Sequence, residues 1–130
     1  MVVLDSDIII GISRENKNAV DFMCELEKRG ESMNTTSINV FELFEGALIM
    51  QDQNKTIKIE KLINSFNSYN FDNYAARVAA SISSELKKTG QTIDFPDIAI
   101  AAMSIRYGES LVTRNTKHFS RIKGLKIEKW

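Results

Sequence analysis

Apolar residues in this chain come in two rhythms. Short apolar or β-branched runs, Val2–Leu4, Met33–Thr36 and Ser110–Thr113, read as buried strands. Two weaker runs, Tyr69–Phe71 and Leu125–Ile127, read as further short strands. Between them the spacing changes to three and four. Ala19, Phe22, Met23 and Leu26 predict a helix that Gly30 stops, after the apolar stretch Ile8–Ile12. Ser37 is placed to cap a helix whose buried face includes Phe41, Phe44, Ala47 and Leu48. Ile59, Leu62, Ile63 and Phe66 predict another. Asp72 then caps a longer helix built on Ala75, Val78, Ala79, Ile82 and Leu86, which Gly90 ends. The last long helix opens at Asp94-Phe95-Pro96-Asp97, with Pro96 in the first turn, where its missing N–H costs little. Ile98, Ala101, Ala102 and Ile105 are its inward face. Strands alternating with helices predict an α/β domain with a mainly parallel sheet.

Composition mainly removes alternatives. The 130 residues, 43% hydrophobic and 26% charged, suit a single domain over residues 1–130. The lone cysteine, Cys24, allows no intrachain disulfide and fits a reducing compartment; beside Phe22, Met23 and Leu26 it is expected to pack inside. One Cys and one His leave no usual zinc ligand set. No apolar run approaches the roughly 20 residues of a membrane span, and no basic start leads into an apolar signal core. The expectation is a cytoplasmic protein without membrane contact. Net charge is zero but unevenly spread: the N-terminal part is acidic on balance, and the C-terminal end carries Arg114, Lys117, His118, Arg121, Lys123, Lys126 and Lys129. Such a cluster can attract phosphates or simply be a solvated surface, and charge alone supports both readings.

Four acidic residues then draw the eye: Asp5 closing an apolar run, Glu42 within an apolar helix, and Asp94 and Asp97 at a helix start. In parallel sheets, sites gather outside the C-terminal strand ends. Asp5, Glu42 and Thr113–Asn115 all follow predicted strands, so they are expected to converge. Carboxylates in apolar surroundings are costly unless something cationic neutralises them. With little basic sequence beside these, a hard divalent cation is the natural neutraliser, Mg²⁺ or Mn²⁺ with oxygen ligands. Near a phosphodiester, such an ion can activate water and neutralise charge developing on phosphoryl oxygens. Each acid also has a structural alternative. Asp5 could cap the helix after it, Glu42 and Glu45 could be solvated, and Asp94 could be an N-cap with Asp97 at the third helical position, a capping-box-like pair.

Val2-Val3-Leu4-Asp5-Ser6-Asp7 resembles the opening of haloacid-dehalogenase-type phosphatases, in which the first Asp is a nucleophile. That chemistry needs a later lysine and an acidic pair after a strand on a longer chain, and it ranks well below a metal-dependent nuclease. The fuller resemblance is to PIN-domain ribonucleases, and within them to the VapC toxins of toxin–antitoxin pairs. It runs through Val3-Leu4-Asp5-Ser6, Phe41-Glu42-Leu43 with Gly46, Asp97-Ile98-Ala99-Ile100-Ala101-Ala102, Leu111-Val112-Thr113-Arg114-Asn115 with His118 and Phe119, and a final Trp130.

The resemblance implies a three-layer α/β/α sandwich and a Mg²⁺- or Mn²⁺-dependent endoribonuclease leaving a 5′-phosphate and a 3′-hydroxyl. By the same resemblance Asp5, Glu42 and Asp97 match the acidic core, Asp94 is a position often acidic, and Ser6 and Thr113 match hydroxyls that orient the acids. Asn115 stands where an acid is often found; being neutral, it leaves one-ion and two-ion arrangements open. Arg114, Lys117 and Arg121 are candidates for phosphate contacts with RNA. His118 is expected to pack or hydrogen-bond. A cognate antitoxin and a homodimer are the implied partners. A housekeeping RNA-processing nuclease and a non-catalytic RNA-binding module are the alternatives.

Overall fold

The two faces of the sheet are written into alternate residues of its strands. In a computed structural model describing residues 1–130, Val2 and Leu4 of β1 (Val2–Leu4) pack on one side and Val3 on the other. Strand β4 (Ser110–Val112) repeats the pattern, with Val112 on the first side and Leu111 on the second. This period of two, with both faces buried, is what a parallel sheet covered by helices requires. The remaining strands are β2 (Met33–Thr36), β3 (Asn67–Tyr69) and β5 (Ile127–Glu128). The order is β3-β2-β1-β4-β5, and every neighbouring pair is parallel.

On the first face lie α1 (Ser6–Ser13), α2 (Lys17–Lys28), α3 (Ser37–Ile49) and α4 (Gln53–Ile63), contributing Ile8, Ile9, Ala19, Leu26, Leu43, Ile59 and Ile63. On the second lie α5 (Asn73–Lys88), α6 (Phe95–Tyr107) and the short α7 (Thr116–Phe119), around Ala79, Leu86, Ile100, Ala102 and Phe119. The result is the expected α/β/α sandwich, with a sheet that is wholly rather than mainly parallel. No helix is long and apolar enough to cross a membrane.

Several local expectations shift. Strand β3 begins two residues earlier than its apolar residues suggest, and β5 two residues later. Helix α3 is capped by Thr36, whose hydroxyl accepts the Asn39 N–H at 3.1 Å. Ser37 is instead the first helical residue and accepts the Phe71 N–H at 3.2 Å. The buried stripe of α3 is Asn39, Leu43 and Ala47, while Phe41 and Leu48 are 60% and 65% exposed. Polar bonds made by Asn39 set the helix rotation against the apolar count. Cys24 is exposed, because the Ala19–Leu26 stripe of α2 faces inward and Cys24 lies about 200° around the helix from Phe22.

Gly11 marks the tightest joint of the first layer. A Cβ there would stand 2.8 Å from the Ala19 Cβ of α2 and 2.9 Å from the Trp130 ring. Gly11→Ala should therefore cost about 1–3 kcal/mol of stability, through overpacking rather than backbone strain. Urea denaturation measures this; a midpoint equal to the parent's would mean the joint yields freely.

Candidate active site

The acid cluster grows from the end of the central strand. β1 delivers Asp5, only 8% exposed, at the point where the sheet order runs β2 to one side and β4 to the other. That is the crevice position of an open α/β sheet. Three elements hold its carboxylate. Oδ1 accepts the Ser6 N–H at 2.8 Å, so Asp5 is also the N-cap of α1, and the Asn39 side-chain amide at 3.0 Å. Oδ2 accepts the Thr113 hydroxyl at 2.7 Å from the residue just beyond β4. The capping reading of Asp5 is therefore realised, and the same carboxylate also binds side chains from α3 and from beyond β4.

Asn39 is the residue that sequence reasoning missed. It is fully buried, donates to Asp5 Oδ1 and to Ser6 Oγ (3.0 Å), and accepts from the Thr36 hydroxyl at 2.7 Å. A polar residue one turn into an apolar helix after a strand was the available signal. One turn further along α3, Glu42 accepts the Ser6 hydroxyl at 2.5 Å through Oε2. Ser6 thus joins Asp5 to Glu42, as its expected orienting role requires.

Asp97 sits in the first turn of α6. Its Oδ2 is 3.2 Å from His118 Nδ1 and 3.4 Å from the Asn115 amide, and His118 and Asn115 are themselves 3.2 Å apart. Asn115 therefore supports Asp97, and His118 hydrogen-bonds as expected. Asp94 occupies the N-cap position of α6 but forms no side-chain cap bond, so its capping-box alternative is not realised. It is exposed beside the cluster in sequence.

Electrostatics reports the crowding. Burial, reinforced by the negative charge of Asp7, pushes Asp5 from 3.8 to about 7 against the opposing bonds from Thr113 and Ser6; Glu42 adds a smaller push. Burial also raises Glu42, with Asp97 and Glu45 adding repulsion and the Ser6 bond opposing. These are carboxylates a cation would relieve. The donors are all oxygen, the chemistry of Mg²⁺ and Mn²⁺ sites. As the side chains stand, no three of these groups share one ion-binding point.

Asp7 ties the loop after β4 to Trp130. Its Oδ2 accepts the Arg114 N–H at 2.7 Å and its Oδ1 the Trp130 indole N–H at 2.8 Å. Arg114, Lys117 and Arg121 are exposed around the loop after β4 and α7. Beside Glu42 a groove of about 450 Å³ has Ile10, Leu43 and Ala47 on its floor and Arg14, Lys55 and Lys58 along it.

The family profile described as PIN domain matches residues 2–125. Ribonuclease VapC3 of Methanocaldococcus jannaschii is 34% identical over 101 residues, 78% of this chain and 95% of that protein. Ribonuclease VapC1 of Rickettsia felis is 31% identical over 130 residues, covering 97% and 93%. The crystal structure of DNA-bound VapBC from Salmonella typhimurium matches with a TM-score of 0.85 at 26% identity, over 100% of this chain and 99% of that one. An acid-edged parallel sheet of this kind is a PIN domain, and the chain belongs to that family, among its VapC ribonucleases.

Asp5 binds its proton more tightly folded (about 7) than at its ordinary value of 3.8. Folding therefore takes up protons between those values, and stability is lost as pH rises through that window. Glu42 acts in the same direction. Without divalent cations, the thermal midpoint should fall from pH 4 to about pH 7, and Asp5→Asn should flatten the fall. An unchanged slope in that variant would place the repulsion elsewhere.

Proposed function

We propose that this chain is a cytoplasmic, single-domain endoribonuclease that hydrolyses RNA phosphodiester bonds with Mg²⁺ or Mn²⁺, and that it is the toxin of a toxin–antitoxin pair. The observation that carries this reading is the meeting of Asp5, Glu42 and Asp97 at one sheet edge, where burial raises the proton affinity of Asp5 and Glu42 and the Asp97 charge adds to the rise of Glu42. Kinship with VapC ribonucleases supports the substrate class.

Asp5 and Asp97 would hold the cation, with Glu42 completing the set and Asp94, at the N-cap of α6, three residues before Asp97. The ion, when bound, supplies water activation and neutralises charge on phosphoryl oxygens. The protein's own contribution is orientation. Asn39, Ser6 and Thr113 fix the Asp5 and Glu42 carboxylates, and Asn115 and His118 fix Asp97. Arg114, Lys117 and Arg121 supply phosphate contacts that draw the strand toward the acids.

The groove beside Glu42 suits a protein partner, because its floor is apolar and its occupant would block the acids. Exposed Phe41, Leu48 and Ile49 on α3 add apolar surface for an antitoxin or a second copy.

Asp97→Asn should lower metal-dependent RNA cleavage by more than about 100-fold with an unchanged thermal midpoint, whereas Asn39→Ala should cost about 10- to 100-fold, as a ligand-orienting partner does. Cleavage of a labelled RNA with Mg²⁺, with Mn²⁺ and with excess EDTA measures both. Full activity in EDTA, or an undiminished Asp97→Asn variant, would sink the reading. Growth arrest on expression, relieved by a neighbouring small reading frame, separates a toxin from a housekeeping processing nuclease.

A further inference from the structure

The C-terminal residue is bonded into the active-site loop, and the mechanism above gives it no task. Trp130 lies half-buried with its ring edge in the notch that Gly11 leaves open. Its indole N–H donates to Asp7 Oδ1 at 2.8 Å. The other Asp7 oxygen holds the backbone N–H of Arg114 at 2.7 Å. The Arg114 guanidinium carbon then lies 3.5 Å from the centre of the Trp130 ring, flat-stacking distance. Ring and carboxylate therefore grip the same residue, one by its side chain and one by its backbone.

That grip leaves the guanidinium charge unspent. Arg29 is paired with Glu128 and Glu31, and Arg106 with Asp72. Arg114 forms no such ion pair; the Asp7 oxygens take its backbone N–H, the Thr113 hydroxyl and the Trp130 indole N–H instead. An exposed arginine ordinarily loses rotamer freedom when a ligand immobilises it. A guanidinium already laid on an indole has given up much of that freedom before the ligand arrives. Its five N–H groups lie in the stacking plane, so their edge remains open to phosphate oxygens. Arg114 also directly follows Thr113, which holds Asp5, so the loop sets the charge beside the acid cluster.

We infer that Trp130 is a positioning residue for RNA binding, its indole face holding the Arg114 guanidinium ready as a phosphate clamp at the rim of the acid cluster. This rests on the nuclease reading. It gives the end of the chain a role in substrate affinity that no acid of the cluster can supply.

The test is binding of a fluorescent single-stranded RNA, followed by anisotropy, in an Asp97→Asn parent that does not turn it over. Trp130→Leu keeps apolar bulk against Gly11 and removes the π-face; it should weaken binding about two- to fivefold, the range of an exposed cation–π contact. Trp130→Phe, which keeps a ring face, should bind close to the parent. Arg114→Lys keeps the charge and loses the stacked plane, so it should lose about as much as Trp130→Leu. In an Arg114→Ala background, Trp130→Leu should change nothing further. The same loss in that background would make Trp130 a structural residue only and overturn the inference. So would an Arg114→Lys variant that binds like the parent, which decides the matter even if Trp130→Leu does not fold. A parent that retains no RNA, with an unsubstituted chain that cleaves none, brings down the nuclease reading and this one with it. A parent that binds RNA indifferently to both residues brings down this one alone.

Discussion

Asp5 is held dehydrated at the end of the central strand, and a lone carboxylate there would be costly. It is kept by N–H and O–H donors from three separate elements, the first residue of α1, Asn39 of α3, and Thr113 after β4. Those donors satisfy its oxygens without cancelling its charge. Burial, with the charges of Asp7 and Glu42 adding to it, raises Asp5 toward protonation, and burial with the Asp97 and Glu45 charges raises Glu42. The site is a repulsive arrangement that the hydrophobic layers on both sheet faces force into place. A cation is the group that turns such repulsion into attraction.

The same requirement orders the helices around it. Asn39 must face Asp5, and that sets the rotation of α3. Leu43 and Ala47 then turn inward and Phe41 and Leu48 outward. Exposed apolar surface on α3 is thus a consequence of building the site, and it is available to a partner chain. The Asp7–Trp130 bond works in parallel from the other end of the chain, tying α1 to the loop after β4. Polar contacts made across long sequence separations, rather than local propensity, decide how these elements meet.

Much of this was legible residue by residue. The short apolar runs, the helix stops at Gly30 and Gly90 and the proline in the first turn of α6 all act through local sterics and periodicity, and they appear where expected. Asp5, Glu42, Ser6 and Thr113 were legible because each follows a strand whose direction the α/β alternation implies. Asn39 and the task of Asp7 were not, since their partners lie 34 and 123 residues away. Cys24 and the α3 face were misjudged for a related reason. Apolar neighbours in sequence do not say which side of a helix faces the sheet.

The sequence by itself determined the period of each segment, hence the layers, and supplied acids at the ends of strands. It did so because side-chain alternation and helical spacing are properties of consecutive residues. Only the tertiary structure decided which donors hold each carboxylate, that Asp94 leaves its cap unmade, and that the final tryptophan lies under Arg114. Those outcomes depend on how three packed layers close on one another, and no local stretch of chain contains that information.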